Sequence, residues 1–124
     1  MESASRIYVA GHSGLAGSAL ARALRAAGFR NLLLRSHAEL ELRDARAVAD
    51  FFARERPEYV VVAAAKVGGI LANNRFPADF IRDNLAIELN VICEAARARV
   101  KRLLLLGSSC IFCCRTCSAN GWSK

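Results

Sequence analysis

"YVAGHSGLAGSA", Tyr8 to Ala19, decides the fold. The residues before it, "RIYVAG", form a short β-branched and aromatic run that ends in glycine, which predicts a first strand at Ile7–Ala10. The residues after it, "GLAGSALARALRAAG", are rich in Ala and Leu. They predict a helix with Leu15, Ala19, Leu20, Ala23 and Leu24 on one face and Gly28 as its C-terminal stop. Gly11, Gly14 and Gly17 therefore lie between a strand and a helix. In that context each glycine has a separate task. Gly11 permits a tight turn, Gly14 lets the backbone approach a phosphate, and Gly17 lets the helix pack on the sheet. A pyrophosphate would rest on the free N–H groups and the positive dipole end of the helix.

Working outward, strands keep alternating with helices. "NLLL" at Asn31–Leu34 reads as a second strand, and "AELEL" as a short third strand ending near Leu42. Asp44 stands where an N-cap belongs, before a helix with Val48, Phe51 and Phe52 inward and Pro57 as its stop. "YVVVAAA", from Tyr59, is apolar without alternation, as a strand covered on both faces requires. A long amphipathic helix follows from Asp79 to Arg99, with Phe80, Leu85, Leu89, Ile92 and Ala96 on one stripe. "RLLLL", from Arg102, is a last buried strand. The alternation predicts an α/β, Rossmann-like, doubly wound parallel sheet with right-handed crossovers. It would be incomplete, with about five strands in the order 3-2-1-4-5.

Bulk properties narrow the function. A chain of 124 residues, 54% of them hydrophobic, is enough for one domain and its core. The net charge of +7 raises the question of a polyanion partner. The arginines, among them Arg22, Arg25, Arg46, Arg54 and Arg97, are scattered over polar helix faces without interleaved aromatics, which argues against nucleic acid. No apolar run reaches the length of a membrane span. "MESASR" lacks the features of a signal peptide, so a reducing, cytoplasmic setting with free thiols is expected.

The end of the second strand reads the cofactor's ribose. An acid there would accept from a 2′-hydroxyl, whereas a base would accommodate a 2′-phosphate. Here stand Arg35, Ser36 and His37, with no acid until Glu39, which favours NADP over NAD. The GxxGxxG spacing points to the short-chain dehydrogenase/reductase form of the fold.

"VAGHSGLAGSA", "SHAELEL", "AAAKVGGILANNRFPADFIRDN" and "LLLLGSSCIF" together resemble the GDP-L-fucose synthase family, the GDP-4-keto-6-deoxy-D-mannose 3,5-epimerase-4-reductases. The resemblance runs over nearly all of Arg6 to Phe112. It implies an NADPH-dependent enzyme that epimerises and then reduces a 4-keto GDP-sugar. By that resemblance Gly11, His12, Ser13, Gly14, Leu15, Ala16 and Gly17 hold the pyrophosphate. Arg35 and His37 lie near the 2′-phosphate and Leu42 near the adenine. Ala63, Ala64, Ala65 and Lys66 line the cofactor cleft, as do Leu106, Gly107, Ser108 and Ser109 after the last strand. Ser108 matches the catalytic serine that donates to the keto oxygen, and Cys110 matches the acid/base of epimerisation. Lys66, Asn73 and Asn74 are candidate polar contacts, and Asn84 matches a position on the nicotinamide side.

After Phe112 the resemblance stops. Residues 113–124 read as a disordered, non-matching tail, the expected product of a frameshift, retained intron or alternative transcript. Cys110-x-x-Cys113 and Cys114-x-x-Cys117 abut, leaving no loop to bring four thiolates around a metal ion, so no metal is expected. The family's Tyr-x-x-x-Lys pair and sugar-nucleotide domain have no counterpart. The two tyrosines, Tyr8 and Tyr59, fall inside expected strands, and His12 and His37 lie in the cofactor half. The expected outcome is a chain inactive by itself, with a GDP-sugar as the family's substrate. Its alternative is a non-catalytic NADP-binding fragment or regulatory partner of a full-length homologue, and a family-like homodimer is a further possibility. One face of the last strand and one sheet edge should be bare.

Overall fold

A computed structural model describes residues 2–66 and 75–107. Strand β1 (Ile7–Ala10) lies inside the sheet with all four residues buried. It pairs in parallel with β2 (Leu32–Leu33) on one side and β3 (Tyr59–Val62) on the other, and β3 pairs in parallel with β4 (Arg102–Leu105). The order is β2-β1-β3-β4. Helix α1 (Leu15–Ala26) follows β1, α2 (Ala45–Glu55) precedes β3, and α3 (Pro77–Arg97) precedes β4. This is the expected Rossmann-like parallel sheet, with four strands among the described residues.

The register puts Tyr8, Val60 and Leu103 in one row and Ala10, Val62 and Leu105 in the next-but-one row. Tyr8, Val60 and Val62 face α2 and α3, where they meet Val48, Phe51, Phe52, Val91 and Ala95. Tyr8 and the two phenylalanines form an aromatic knot with ring centroids 4.6, 6.2 and 5.7 Å apart. α2 starts where its cap predicts. The Asp44 carboxylate accepts from the N–H groups of Arg46 at 2.9 Å and Ala47 at 3.2 Å. It ends at Arg56, a left-handed residue before Pro57.

The structure corrects several expectations. "AELEL" is not a strand. Leu40 and Leu42 alternate and are buried, but the backbone turns: Glu39 and Leu40 N–H donate to Ser36 C=O and Asp44 N–H to Glu41 C=O. A two-residue apolar period imitated a strand in a loop that lays two leucines on the core. The second strand is shorter than Asn31–Leu34, and β3 stops at Val62 rather than running to Ala65.

In α1, Leu15, Ala19 and Ala23 are exposed, and the fully buried residues are Gly17 and Ala21. The helix lies so close to the β1 turn that only small residues fit beneath it. In α3 the apolar stripe of the sequence reading points outward from Leu85 on. Leu85 is 59% and Leu89 62% exposed, and Ile92 and Ala96 are exposed as well. Asp83, Ile87, Val91 and Ala95, one per turn, face the core instead. α3 carries apolar residues on two sides, and periodicity does not say which one meets the sheet. The helix also ends at Arg97, followed by left-handed Arg99.

At the β4 side Leu104 is 52% exposed, and that edge has no further strand among the described residues. No helix among them is long and apolar enough to cross a membrane.

Candidate functional site

The site forms at the C-terminal ends of β1 and β3, where the first βα turn meets the N-terminus of α1. Gly11 has φ +80°, a left-handed conformation that side chains disfavour. A β-carbon there would stand 2.6 Å from the Ala64 nitrogen, so the turn lies directly against the chain leaving β3. A β-carbon on Gly17 would collide with the Gly11 carbonyl. Gly14 differs: its nearest neighbour would be the Gly11 oxygen at 3.4 Å, an ordinary contact. Two glycines are thus required by packing, and the third leaves space in front of the helix.

That space is usable for an anion. α1 is capped by Gly14 without a side-chain hydrogen bond, and its first turn carries no acid. Gly14 N–H is taken by Gly11 C=O at 3.0 Å, while the next N–H groups of the helix have no capping side chain. The cradle therefore fits a phosphate-bearing group.

A cavity of about 570 Å³ opens from this cradle. Of the sequence candidates, Gly11, Ser13, Gly14, Leu15, Ala16, Arg35, His37, Leu42, Ala64, Ala65 and Lys66 all line it, with Ala63. His12 and Gly17 do not. Gly17, within α1, faces the β1 turn, and His12 has its Nδ1 buried with no hydrogen-bond partner among the described residues. Leu106 and Gly107 are exposed and do not reach the cavity wall. Asn73, Asn74, Ser108, Ser109, Cys110, Cys113, Cys114 and Cys117 lie outside the described residues.

Sequence reasoning missed Leu40, Glu41, Arg43, Tyr8 and Ile87 as wall residues. The signal for Leu40 was present in "AELEL", read there as a strand. For Arg43 and Ile87 no local pattern existed, because they arrive from a loop and from a helix remote in sequence.

The charges at the β2 end are already arranged. Arg35 donates to Glu55 Oε1 at 2.8 Å and to its neighbour's carbonyl at 2.9 Å, with its guanidinium 5.9 Å from the Phe51 ring centre. The Glu39 carboxylate turns back and accepts from both N–H and Oγ–H of Ser36, each at 2.7 Å. Those bonds hold its pKa below the usual carboxylate range. The first acid after β2 is thereby spent on its own turn. Glu41 accepts from Arg43 at 2.9 and 2.8 Å and lies 3.0 Å from His37 Nε2. The Arg43 bonds bring its pKa down to about 2.

Helix α3 closes the remaining side. Asp83, with its side chain 5% exposed, accepts from Lys66 Nζ at 2.6 Å, Arg43 Nη1 at 3.2 Å and Arg82 Nε at 3.1 Å. The Lys66 bond, first among these, holds Asp83 at about 2. Asn84 does not stand free toward a nicotinamide. Its Oδ1 accepts from Lys66 N–H at 2.6 Å and its Nδ2 donates to Lys66 C=O at 3.1 Å.

Comparison with known proteins gives a consistent picture. The family described as "NAD dependent epimerase/dehydratase family" matches residues 7–114. A putative GDP-L-fucose synthase 2 of Arabidopsis thaliana is 57% identical over 112 residues, 90% of this chain and 34% of that protein. The GDP-L-fucose synthase of Escherichia coli (strain K12) is 54% identical over 110 residues, 89% of this chain and 34% of that one. The structure resembles a GDP-D-glycero-L-gluco-heptose synthase from Campylobacter jejuni, solved in the presence of NADPH, with TM-score 0.84 and 46% identity. That match covers 88% of this chain and 32% of the other. A GDP-mannoheptose C4 reductase from the same organism, with NADP bound, matches with TM-score 0.83 and 46% identity over 86% of this chain and 34% of that one. The chain spans about a third of the length of the curated relatives it matches.

Proposed function

The chain belongs to the NAD dependent epimerase/dehydratase family, and on that premise we propose that it is the NADP-binding part of a GDP-L-fucose synthase-like epimerase/reductase. One observation carries this reading. The glycine turn is shaped by two glycines that no other residue can replace, while Gly14 leaves an uncapped helix end open to a 570 Å³ cavity.

The residues fit the cofactor. The N–H groups at the start of α1 would hold the pyrophosphate. Leu40 and Leu42 would flank the adenine, and Arg35 with His37 would meet the 2′-phosphate. Glu39 turns its Oε2 back onto Ser36 and does not line the cavity, which supports NADP over NAD. When bound, NADPH supplies the hydride for reduction of a keto carbon. Ser108 would donate a hydrogen bond to the oxygen where negative charge develops. Cys110 would move a proton at the carbon beside the carbonyl, provided its thiol is tuned. The substrate by this reading is GDP-4-keto-6-deoxy-mannose, and the setting is the cytoplasm.

As a 124-residue chain it should bind cofactor without turnover, because Tyr8 and Tyr59 lie in β1 and β3 and neither is followed four residues later by lysine. The test is to mix the chain with NADPH and the keto-sugar nucleotide and follow NADPH absorbance. No oxidation is expected. Oxidation abolished by Ser108→Ala would show an active enzyme and overturn the inactive reading.

A second reading rests on exposed apolar surface. Ile81, Leu85 and Leu89 project from α3 and Leu104 from β4. Such surface supports association, with a second copy or with a full-length homologue, and light scattering of the chain alone and mixed with a homologue tests it.

A further inference from the structure

We propose that Asp83 and Asn84 are a positioning pair that fixes Lys66 by its backbone and its ammonium together. Through Asn84 the nicotinamide side of the pocket is held separately from the adenosine side. This rests on the cofactor reading above and goes beyond it, because neither residue need touch the cofactor.

The geometry divides the pocket in two. The β2 end, with Arg35 and Leu42, is where a dinucleotide's adenosine ribose is read. The chain leaving β3, Ala63 to Lys66, lines the same cavity, and we assign it to the other half of the dinucleotide. α3 reaches both walls: Asp83 Oδ2 accepts from Arg43 on one and from Lys66 on the other, while Asn90 and Asn84 each hold a single wall. Asn90 Nδ2 donates to Leu42 C=O at 2.9 Å and holds the adenosine wall. Asn84 grips both polar groups of the Lys66 peptide, and Asp83 takes the Lys66 ammonium at 2.6 Å above the Phe80 ring, 5.3 Å away.

A loop backbone is ordinarily free to move. Here one amide occupies its donor and acceptor at once, and a buried carboxylate occupies its side chain. Loss of Asp83 leaves Arg43 its two bonds to Glu41, so the adenosine wall keeps its own anchor. Asn84 therefore holds the Lys66 wall alone, whereas Asp83 is shared between the two walls.

Two ligands separate the halves: NADPH, which fills both, and adenosine 2′,5′-bisphosphate, which fills one. Kd for each is measured by calorimetry on the 124-residue chain, with thermal unfolding alongside. Asn84→Ala is expected to weaken NADPH about tenfold, the scale of losing two modest hydrogen bonds, and to leave the bisphosphate unchanged. Asn90→Ala is expected to weaken both ligands by the same factor. Should Asn84→Ala fold poorly, Asn84→Asp, which keeps an acceptor for the Lys66 N–H but loses the donor to the Lys66 carbonyl, gives the same selective loss.

A purely structural role would lower the unfolding temperature but leave the ratio of the two Kd values alone. Equal loss of both ligands in Asn84→Ala, or loss of neither, overturns the inference while the cofactor reading stands. A wild-type chain that binds neither ligand overturns the cofactor reading, and this inference with it.

Discussion

Gly17 rests on the carbonyl of Gly11. A β-carbon at Gly17 would penetrate that oxygen, whereas one at Gly14 would meet it at 3.4 Å. Glycines three residues apart therefore fail in different ways. Gly17→Ala should destabilise the chain by about 1–3 kcal/mol, the range for forcing extra volume into a packed site. Gly14→Ala should unfold like wild type and lose NADPH binding, because its methyl group occupies the phosphate's place. Urea unfolding beside a cofactor titration checks both.

Arg35 should set cofactor choice. Arg35→Ala is expected to weaken NADPH by about tenfold to a hundredfold, the value of hydrogen bonds to a charged group, with NADH little changed. Arg35 also pairs with half-buried Glu55 at 2.8 Å, so the double change Arg35→Ala with Glu55→Gln separates lost binding from an orphaned carboxylate. Parallel loss of NADPH and NADH would remove Arg35 from the 2′-phosphate site.

Acid should loosen the α3 side of the pocket. Asp83 sits at about 2 against an ordinary 3.8, held down first by Lys66, and Glu41 at about 2 against 4.5, held down first by Arg43. A lowered folded-state pKa means stability that is complete above the ordinary value and is lost as pH falls toward the folded one. The unfolding temperature should therefore fall between pH 4.5 and 2. Asp83→Asn should fall less steeply over that window. An identical slope would show that Asp83 does not titrate as described.

The two apolar stripes of α3 should respond oppositely. Ile87, 8% exposed, belongs to the core, and Ile87→Ala should cost about 2–5 kcal/mol. Leu89, 62% exposed, should tolerate Leu89→Lys within about 0.5 kcal/mol and make the chain less prone to associate. Chemical unfolding and light scattering of the two variants decide this.

Much of the fold was legible because local signals agreed. "RIYVAG", the glycine turn, Gly28 and Asp44 each specify one junction through backbone geometry, and each lies where it was expected. Stripe orientation was not legible in α3, since Leu85 and Leu89 are as apolar as Ile87 and Val91. Only the sheet decides which row it meets, and it took the row containing Asp83. "AELEL" misled because burial at alternate positions arises in a turn as readily as in a strand. The glycine cradle and the Arg35–His37 end of the site follow from residues close in sequence. Arg43, Asp83 and Asn90 come together only through tertiary contacts between Leu42–Asp44 and α3, which no window of sequence contains.

The most direct measurement is calorimetric titration of the 124-residue chain with NADPH and, in parallel, NADH. The account predicts saturable one-site binding that prefers NADPH, with the preference reduced by Arg35→Ala and binding abolished by Gly14→Ala. Absence of binding to either cofactor by a folded chain would contradict it.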